Sequence, residues 1–295
     1  GGLCDEMIEY CIADVELTEQ VHKWLELQLR NENFSQQSID LEHSVGWAVT
    51  KQEQNGFKLD TEYADKLMMD LMFEMNNIEA ELQSIFPPIV EERISEKTGK
   101  RLKDKVTIFN PGSRKQIAER LQGLGVTFKK KTEKGNIIVD EKVLDSINLP
   151  EAKAVARYMM LQKRVAQIDS WLKAVKDDGR VHGRVITNGA VTGRMTHLSP
   201  NMAQVPAVSA PFGTECRSCW TVDEGNVLVG IDASGLELRM LAHYMDDEDY
   251  TNEILNGDIH TANQRAAGLK TRPLAKTFIY AFLYGAGDAK IGAIV

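Results

Sequence analysis

The stretch Val227-Leu228-Val229-Gly230-Ile231-Asp232-Ala233-Ser234-Gly235-Leu236-Glu237-Leu238-Arg239 decides how this chain is read. An unbroken apolar run from Val227 to Ile231 predicts a strand buried on both faces, the habit of strands in a sheet covered by helices. The run ends abruptly in a carboxylate, ahead of a Gly-containing helix start. Asp232 is therefore expected at the rim of a sheet. A carboxylate there suits Mg²⁺, because a hard cation takes oxygen donors and leaves its remaining positions to water and phosphate. An aspartate that merely caps the following helix has the same local pattern.

Downstream, the spacing predicts helix again from about Leu236 and then a sharply marked helix from Thr271. Thr271 suits the N-cap and Pro273 the first turn. Along it, Arg272, Lys276, Tyr280 and Tyr284 recur every four residues and share a face about 120° wide. Two cations followed by two rings match a nucleoside triphosphate, with phosphates at one end and sugar and base at the other. Surface charge beside buried aromatics gives the same spacing. Just upstream, Asn256-Gly257-Asp258-Ile259-His260-Thr261 offers His260 as a further phosphate donor. The acidic run Asp246-Asp247-Glu248-Asp249 reads as a solvated turn between helices.

Upstream, apolar spacing predicts a helix over 5–30, a polar connector over 31–42, and long helices over 63–85 and 151–175. Pro87-Pro88 stops the first long helix. Asn110-Pro111-Gly112-Ser113 starts a helix that runs to about Leu121. Two long helices joined by a basic, irregular tip make an arm. Short strand-like runs follow at Val181–Thr187 and Cys216–Val222. Cys216-x2-Cys219 lacks the second ligand pair of a zinc site and reads as incidental.

Hydrophobic residues at 43% and charged ones at 26% exclude wholesale disorder, and the net charge of -8 argues against coating nucleic acid by bulk charge. The average hides a gradient. Residues 1–85 carry 5 Lys+Arg against 18 Asp+Glu, whereas 86–135 carry 13 against 6. That basic stretch, with Lys97 to Lys105 and Lys129 to Lys134, is what a polyanion-gripping element looks like, or a set of solvated loops. No apolar run approaches the roughly 18 residues of a membrane span. Four cysteines without a secretory pattern fit a reducing cytoplasm.

Together these residues resemble the family A (Pol I-like) DNA polymerases. Asp232 to Arg239 resembles their motif A, Arg272-x3-Lys276-x3-Tyr280-x3-Tyr284-Gly285 their motif B, and Asn188-Gly189-Ala190-Val191-Thr192-Gly193-Arg194 their primer-contact motif. The wording is most similar to the replicative branch of T-seven-like short-tailed phages. The resemblance covers nearly the whole chain and is weakest over 86–108. It implies an α/β (α+β) right-hand polymerase fold: 1–30 the last helix of a 3′–5′ exonuclease, 31–60 a linker and first palm segment, 61–178 the thumb, 179–245 palm, and 246–295 incomplete fingers.

The implied reaction is template-directed addition of deoxynucleotides to a primer 3′ end with two Mg²⁺ ions, in the cytoplasm of an infected bacterium, with primer-template DNA and dNTPs as partners and no membrane. By resemblance, Asp232 ligates both metals and the Ala233 carbonyl helps to hold the nucleotide-associated one. Arg272, Lys276 and His260 hold the triphosphate. Glu237 matches the steric gate that excludes a 2′-OH, Tyr280 the ring that packs on the incoming nucleotide, and Tyr284 with Gly285 the control of template placement. Arg194 resembles the minor-groove reader at the primer terminus, with Asn201 and Gln204 as further DNA contacts, and Lys163 and Arg164 grip duplex phosphates. Tyr10-x3-Asp14 resembles the last exonuclease motif, in which the Asp binds a metal and the Tyr orients water.

Three departures qualify the resemblance. The family's second catalytic carboxylate, in a Val-His-Asp-Glu type motif, is not in these 295 residues, nor are the early exonuclease carboxylates, so an internal fragment inactive in both reactions is expected. The Phe86 to Phe109 stretch is much shorter than the insertion through which the phage branch holds host thioredoxin, which counts against thioredoxin dependence. Ala281 replaces the glycine usual in that branch. Two other readings stand beside this one. A single-subunit RNA polymerase shares the Asp-ended strand and the Lys-Tyr-Gly helix, though Glu237 argues against it. A noncatalytic DNA-binding module would use thumb and palm alone.

Overall fold

The computed structural model describes residues 4–95, 97–128, 131–132 and 134–294, and the chain divides into two compact units that meet in sequence at Leu228 and Val229. Lys129 and Lys130, part of the basic stretch, lie outside the described residues.

The first unit opens with α1 (Asp5–Asn31) and α2 (Gln36–Asn55), neither of which buries a residue. The connector expected over 31–42 is thus confined to the few residues before Gln36. Polarity there marks an exposed helix: Gln36 Nε2 donates to Asp40 Oδ1 at 2.9 Å and Ser44 Oγ to the Asp40 carbonyl at 2.7 Å, both one helical turn apart.

After β1 (Phe57–Leu59), Asp60 caps α3 (Thr61–Ile85) by accepting from Tyr63 N. The tip beyond Pro87-Pro88 is a regular antiparallel hairpin, β2 (Ile89–Ile94) with β3 (Arg101–Thr107), where an irregular segment was expected. Its apolar residues Ile89, Val90, Ile94, Leu102 and Val106 favour strand, but charged neighbours interrupt their alternation and a register shift between Glu91 and Arg93 breaks the period. Ser113 caps α4 (Arg114–Gly123), Asp140 caps α5 (Glu141–Asp145), and Pro150 begins α6 (Pro150–Ala174).

Helices α3 and α6 run antiparallel. Leu82 near the end of α3 shares a core with Ala152 and Val155 near the start of α6, while Leu67 and Leu71 pack with Leu161, Ile168 and Trp171. Burying each large apolar side chain of this set contributes about 1.5–3 kcal/mol, so this paired stripe is what holds the two helices together. Across it, Arg157 donates to both Glu74 oxygens at 2.7 and 3.0 Å.

Past α6 come β4 (Arg180–Val181), β5 (Arg184–Ile186), β6 (Thr196–Leu198), a 3₁₀ turn at Met202–Gln204, α7 (Gly213–Ser218) and β7 (Trp220–Thr221). One three-stranded sheet orders β4, β1 and β7, all antiparallel, and β5 pairs with β6 in a separate hairpin. Cys216–Val222, expected as strand, is helical through Ser218 and extended only at Trp220–Thr221. Its Cys216 and Cys219 lie one turn apart against Leu59 and Trp171, and are spaced to fill a core.

The second unit is helical: α8 (Leu236–Met245), α9 (Glu248–Asn256), α10 (Ile259–Ala266), α11 (Arg272–Leu283) and α12 (Asp288–Gly292). Asp246 ends α8 and Asp247 caps α9 by accepting from Tyr250 N, so the acidic run forms a helix junction.

The doubly buried strand expected at Val227–Ile231 is not formed. Residues 226–233 are irregular, and Val227, Leu228, Val229 and Ile231 are 66–93% exposed. A strand needs a hydrogen-bonding neighbour, and among the described residues none pairs with this run. Apolar sequence supplies the drive to be covered, not the cover. Among the described residues, no helix is long and apolar enough to cross a membrane.

Candidate functional site

Helix α11 is built as its sequence predicts. Thr271 accepts from Leu274 N at 3.4 Å and Pro273 lies in the first turn. Ala275 is buried, which fixes the helix by one face and leaves Arg272 and Lys276 exposed while Tyr280 is half-buried.

Helix α10 packs beside it and brings His260 against this face, its ring centroid 6.2 Å from that of Tyr280. Burial, then Arg272 and Lys276, lower the His260 pKa, so the ring is held neutral in the neutral range. Its Nδ1 is buried without a hydrogen-bond partner among the described residues.

Glu237, in the first turn of α8, reaches the other end. Tyr284 Oη donates to Glu237 Oε1 at 3.3 Å. Burial, then Glu237 and Tyr284, push the Tyr280 hydroxyl pKa up. Gly285 follows with φ of 70°, a left-handed conformation that side chains resist. Six residues singled out in the sequence, from α8, α10 and α11, are thus arranged along one helix: Arg272, Lys276, His260, Tyr280, Tyr284 and Glu237. Cations stand at one end of that face, with rings and a carboxylate at the other.

Asp258 was passed over in the sequence and is central here. Arg272 donates to it from Nε at 2.7 Å and from Nη2 at 3.0 Å. Arg272 foremost, then Thr261, holds the Asp258 carboxyl well below the usual carboxylate range. The partners lie 14 residues apart across a turn, so no periodicity could have revealed the pair.

Asp232 and Ala233 lie in the exposed stretch ahead of α8. Among the described residues, no group of three or more His, Cys, Asp or Glu side chains could hold a metal ion. Asp232 with a backbone carbonyl is still a fitting partial set for Mg²⁺, which binds one or two carboxylates and takes its other ligands from water and phosphate.

In the first unit, Lys163, Arg164, Asn201 and Gln204 line a single open cleft with Gln167 and Trp171. Gln167 Nε2 donates to the Gln204 carbonyl at 2.6 Å, tying α6 to the 3₁₀ turn. Lys163 points to solvent, whereas Arg164 is only 9% exposed and donates from Nε to the Pro211 carbonyl at 3.1 Å. Gln167, at helical spacing from Arg164, could have been found from sequence.

Arg194 is exposed on the loop of the β5–β6 hairpin, its carbonyl accepting from Ala190 N at 3.0 Å. That loop depends on Gly189, where a Cβ would overlap the Thr196 side chain. Tyr10 and Asp14 lie one turn apart on exposed α1. Cys216 and Cys219 are fully buried, and burial pushes the Cys219 thiol up to about 12.

Residues 81–294 match the model of DNA polymerase family A. The chain is 36% identical to the DNA-directed DNA polymerase of Escherichia phage T7 over 380 aligned positions, covering 99% of this chain and 54% of the phage enzyme. It is 26% identical to DNA polymerase I of Helicobacter pylori, covering 97% of this chain and 30% of that one. The chain thus spans about half or less of the length of these relatives. The fold is similar to the POL domain of Pol1 from M. smegmatis, solved in complex with DNA primer-template and dNTP, with a TM-score of 0.68 and 20% identity over 83% of this chain and 42% of that one.

Proposed function

This chain belongs to DNA polymerase family A, and on that premise we propose that it is part of a phage replicative enzyme that adds deoxynucleotides to a primer 3′ end in the infected cell. The observation that carries the proposal is the α11 face, where Arg272 and Lys276 precede Tyr280 and Tyr284 and neighbouring helices add His260 and Glu237. In this reading Arg272, Lys276 and His260 bind the triphosphate and offset charge that develops on it during transfer. Tyr280 packs on the nucleotide. Glu237, steadied by Tyr284, blocks a 2′-OH and so selects DNA precursors. Tyr284 and Gly285 place the template base.

Asp232 and the Ala233 carbonyl would hold Mg²⁺, which supplies neutralisation of phosphate oxygens and activation of the attacking hydroxyl when bound. Arg194 reads the minor groove, where acceptor patterns are nearly sequence-independent. Lys163, Asn201 and Gln204 contact primer-template along their shared cleft, and the 61–178 arm acts as a thumb. Tyr10 and Asp14 belong to a proofreading site in this reading. The short hairpin within 86–109 counts against dependence on host thioredoxin in this reading.

The test is primer extension by the full-length enzyme. Asp232→Asn should abolish incorporation while leaving primer-template binding intact. Lys276→Ala should lower incorporation at least tenfold. Normal turnover by either variant refutes the assignment.

A further inference from the structure

We propose that Asp258 is a positioning residue that aims both Arg272 and His260 at the bound triphosphate, an inference that rests on the triphosphate reading of α11. Its carboxylate accepts from five donors. Three belong to α10: His260 N at 3.2 Å and Thr261 N at 3.4 Å reach Oδ1, and Thr261 Oγ1 at 2.8 Å reaches Oδ2. Two belong to α11, the Nε and Nη2 of Arg272. The backbone N of Asp258 in turn donates to Glu253 Oε1 of α9 at 3.1 Å. One carboxylate therefore fixes the start of α10, two residues before His260, and the direction of the first cation of α11.

The competing interpretation is that Asp258 occupies Arg272 and must be displaced. Guanidinium geometry decides against it. Pairing through Nε and Nη2 uses one edge of the planar fork and leaves the Nη1 hydrogens and the second Nη2 hydrogen along another edge. Arg272 can hold Asp258 and a phosphate at the same time. A long side chain ordered before binding also avoids the entropy cost of ordering it on binding.

The test is calorimetric titration of the 295-residue chain with dGTP, comparing wild type, Arg272→Ala, Asp258→Asn, Asp258→Glu and the Arg272→Ala/Asp258→Asn double variant. Asparagine keeps the helix cap but removes the charge that orients Arg272. Asp258→Asn should weaken binding about three- to tenfold, the cost of ordering one long side chain, while the melt stays cooperative with only a modest loss of stability from the hydrogen bonds the amide cannot accept. Asp258→Glu should recover part of that loss. In the Arg272→Ala background, Asp258→Asn should weaken binding by a smaller factor than in wild type, because its effect runs largely through Arg272. Equal or tighter binding by Asp258→Asn, or the same loss in both backgrounds, overturns the proposal. If Arg272→Ala binds like wild type, the triphosphate reading itself fails.

Discussion

Arg164 and Lys163 are neighbours in sequence, and both were expected to grip DNA, yet Lys163 is exposed while Arg164 is buried and bonded to backbone, the position of a structural brace. Arg164→Ala removes a guanidinium that is 9% exposed and bonded to the Pro211 carbonyl at 3.1 Å and to Gln167 Oε1 at 3.4 Å. A hydrogen bond from a charged group contributes about 1.5–3 kcal/mol, and its loss strands the carbonyl. The second contact is long and its residue remains partly solvated, so it adds little. We expect Arg164→Ala to cost about 2–3 kcal/mol and to lower the melting temperature by about 5–10 °C. Lys163→Ala should change stability by no more than about 0.5 kcal/mol and should reduce the salt dependence of primer-template binding by about one counterion. Thermal melts followed by tryptophan fluorescence suit the first measurement, because Trp171 lines the same cleft. The second is a mobility-shift series across salt concentrations. If Arg164→Ala melts with wild type and loses DNA affinity as Lys163→Ala does, Arg164 is a phosphate ligand and the brace assignment is wrong.

Other expectations follow from geometry. Gly189→Ala forces a Cβ into the Thr196 side chain and should destabilise the β5–β6 hairpin by about 1–3 kcal/mol, with partial recovery in a Gly189→Ala/Thr196→Gly double variant; equal melting of the single variant and wild type would contradict this. His260 has a depressed pKa in the folded chain, so the unfolded chain takes up its proton first, and its contribution to stability is complete above the ordinary value of about 6.5 and declines as pH falls below it. Melting temperature should therefore drop more steeply on acidification in wild type than in His260→Gln. Iodoacetamide on the native chain should modify exposed Cys4 and Cys11 and spare Cys216 and Cys219, with mass spectrometry of the digested product as the readout.

What could be read from the sequence was what local chemistry enforces. The α3 and α6 stripes, the helix starts at Ser113 and Thr271, and the cation-to-ring order of α11 all follow from local spacing. What was misread depended on a partner. Val227–Ile231 carries the composition of a buried strand and lies exposed, because strand formation is a property of two segments. The hairpin at Ile89–Thr107 was hidden for the opposite reason: its two strands supply each other's hydrogen bonds, so a charged, irregular-looking sequence can be regular.

The same distinction separates Arg272 from Lys276. Both are cations on one helical face, and spacing treats them alike. Arg272 shares its charge with Asp258 at 2.7 Å, while Lys276 is exposed with no carboxylate recorded within 4.0 Å among the described residues. His260, its pKa depressed, contributes little charge of its own near neutrality. The uncompensated positive charge of this face therefore resides mainly on Lys276, and Arg272 offers directed donors in place of net charge. Screening acts on net charge more than on hydrogen-bond geometry. Raising salt should consequently erode the contribution of Lys276 to triphosphate affinity faster than that of Arg272. The measurement is dGTP affinity of Lys276→Ala and Arg272→Ala across a salt series: the Lys276 variant should approach wild type at high salt while the Arg272 variant stays weaker. Parallel slopes for the two variants would mean that the Asp258 pair leaves Arg272 no different from a free surface cation.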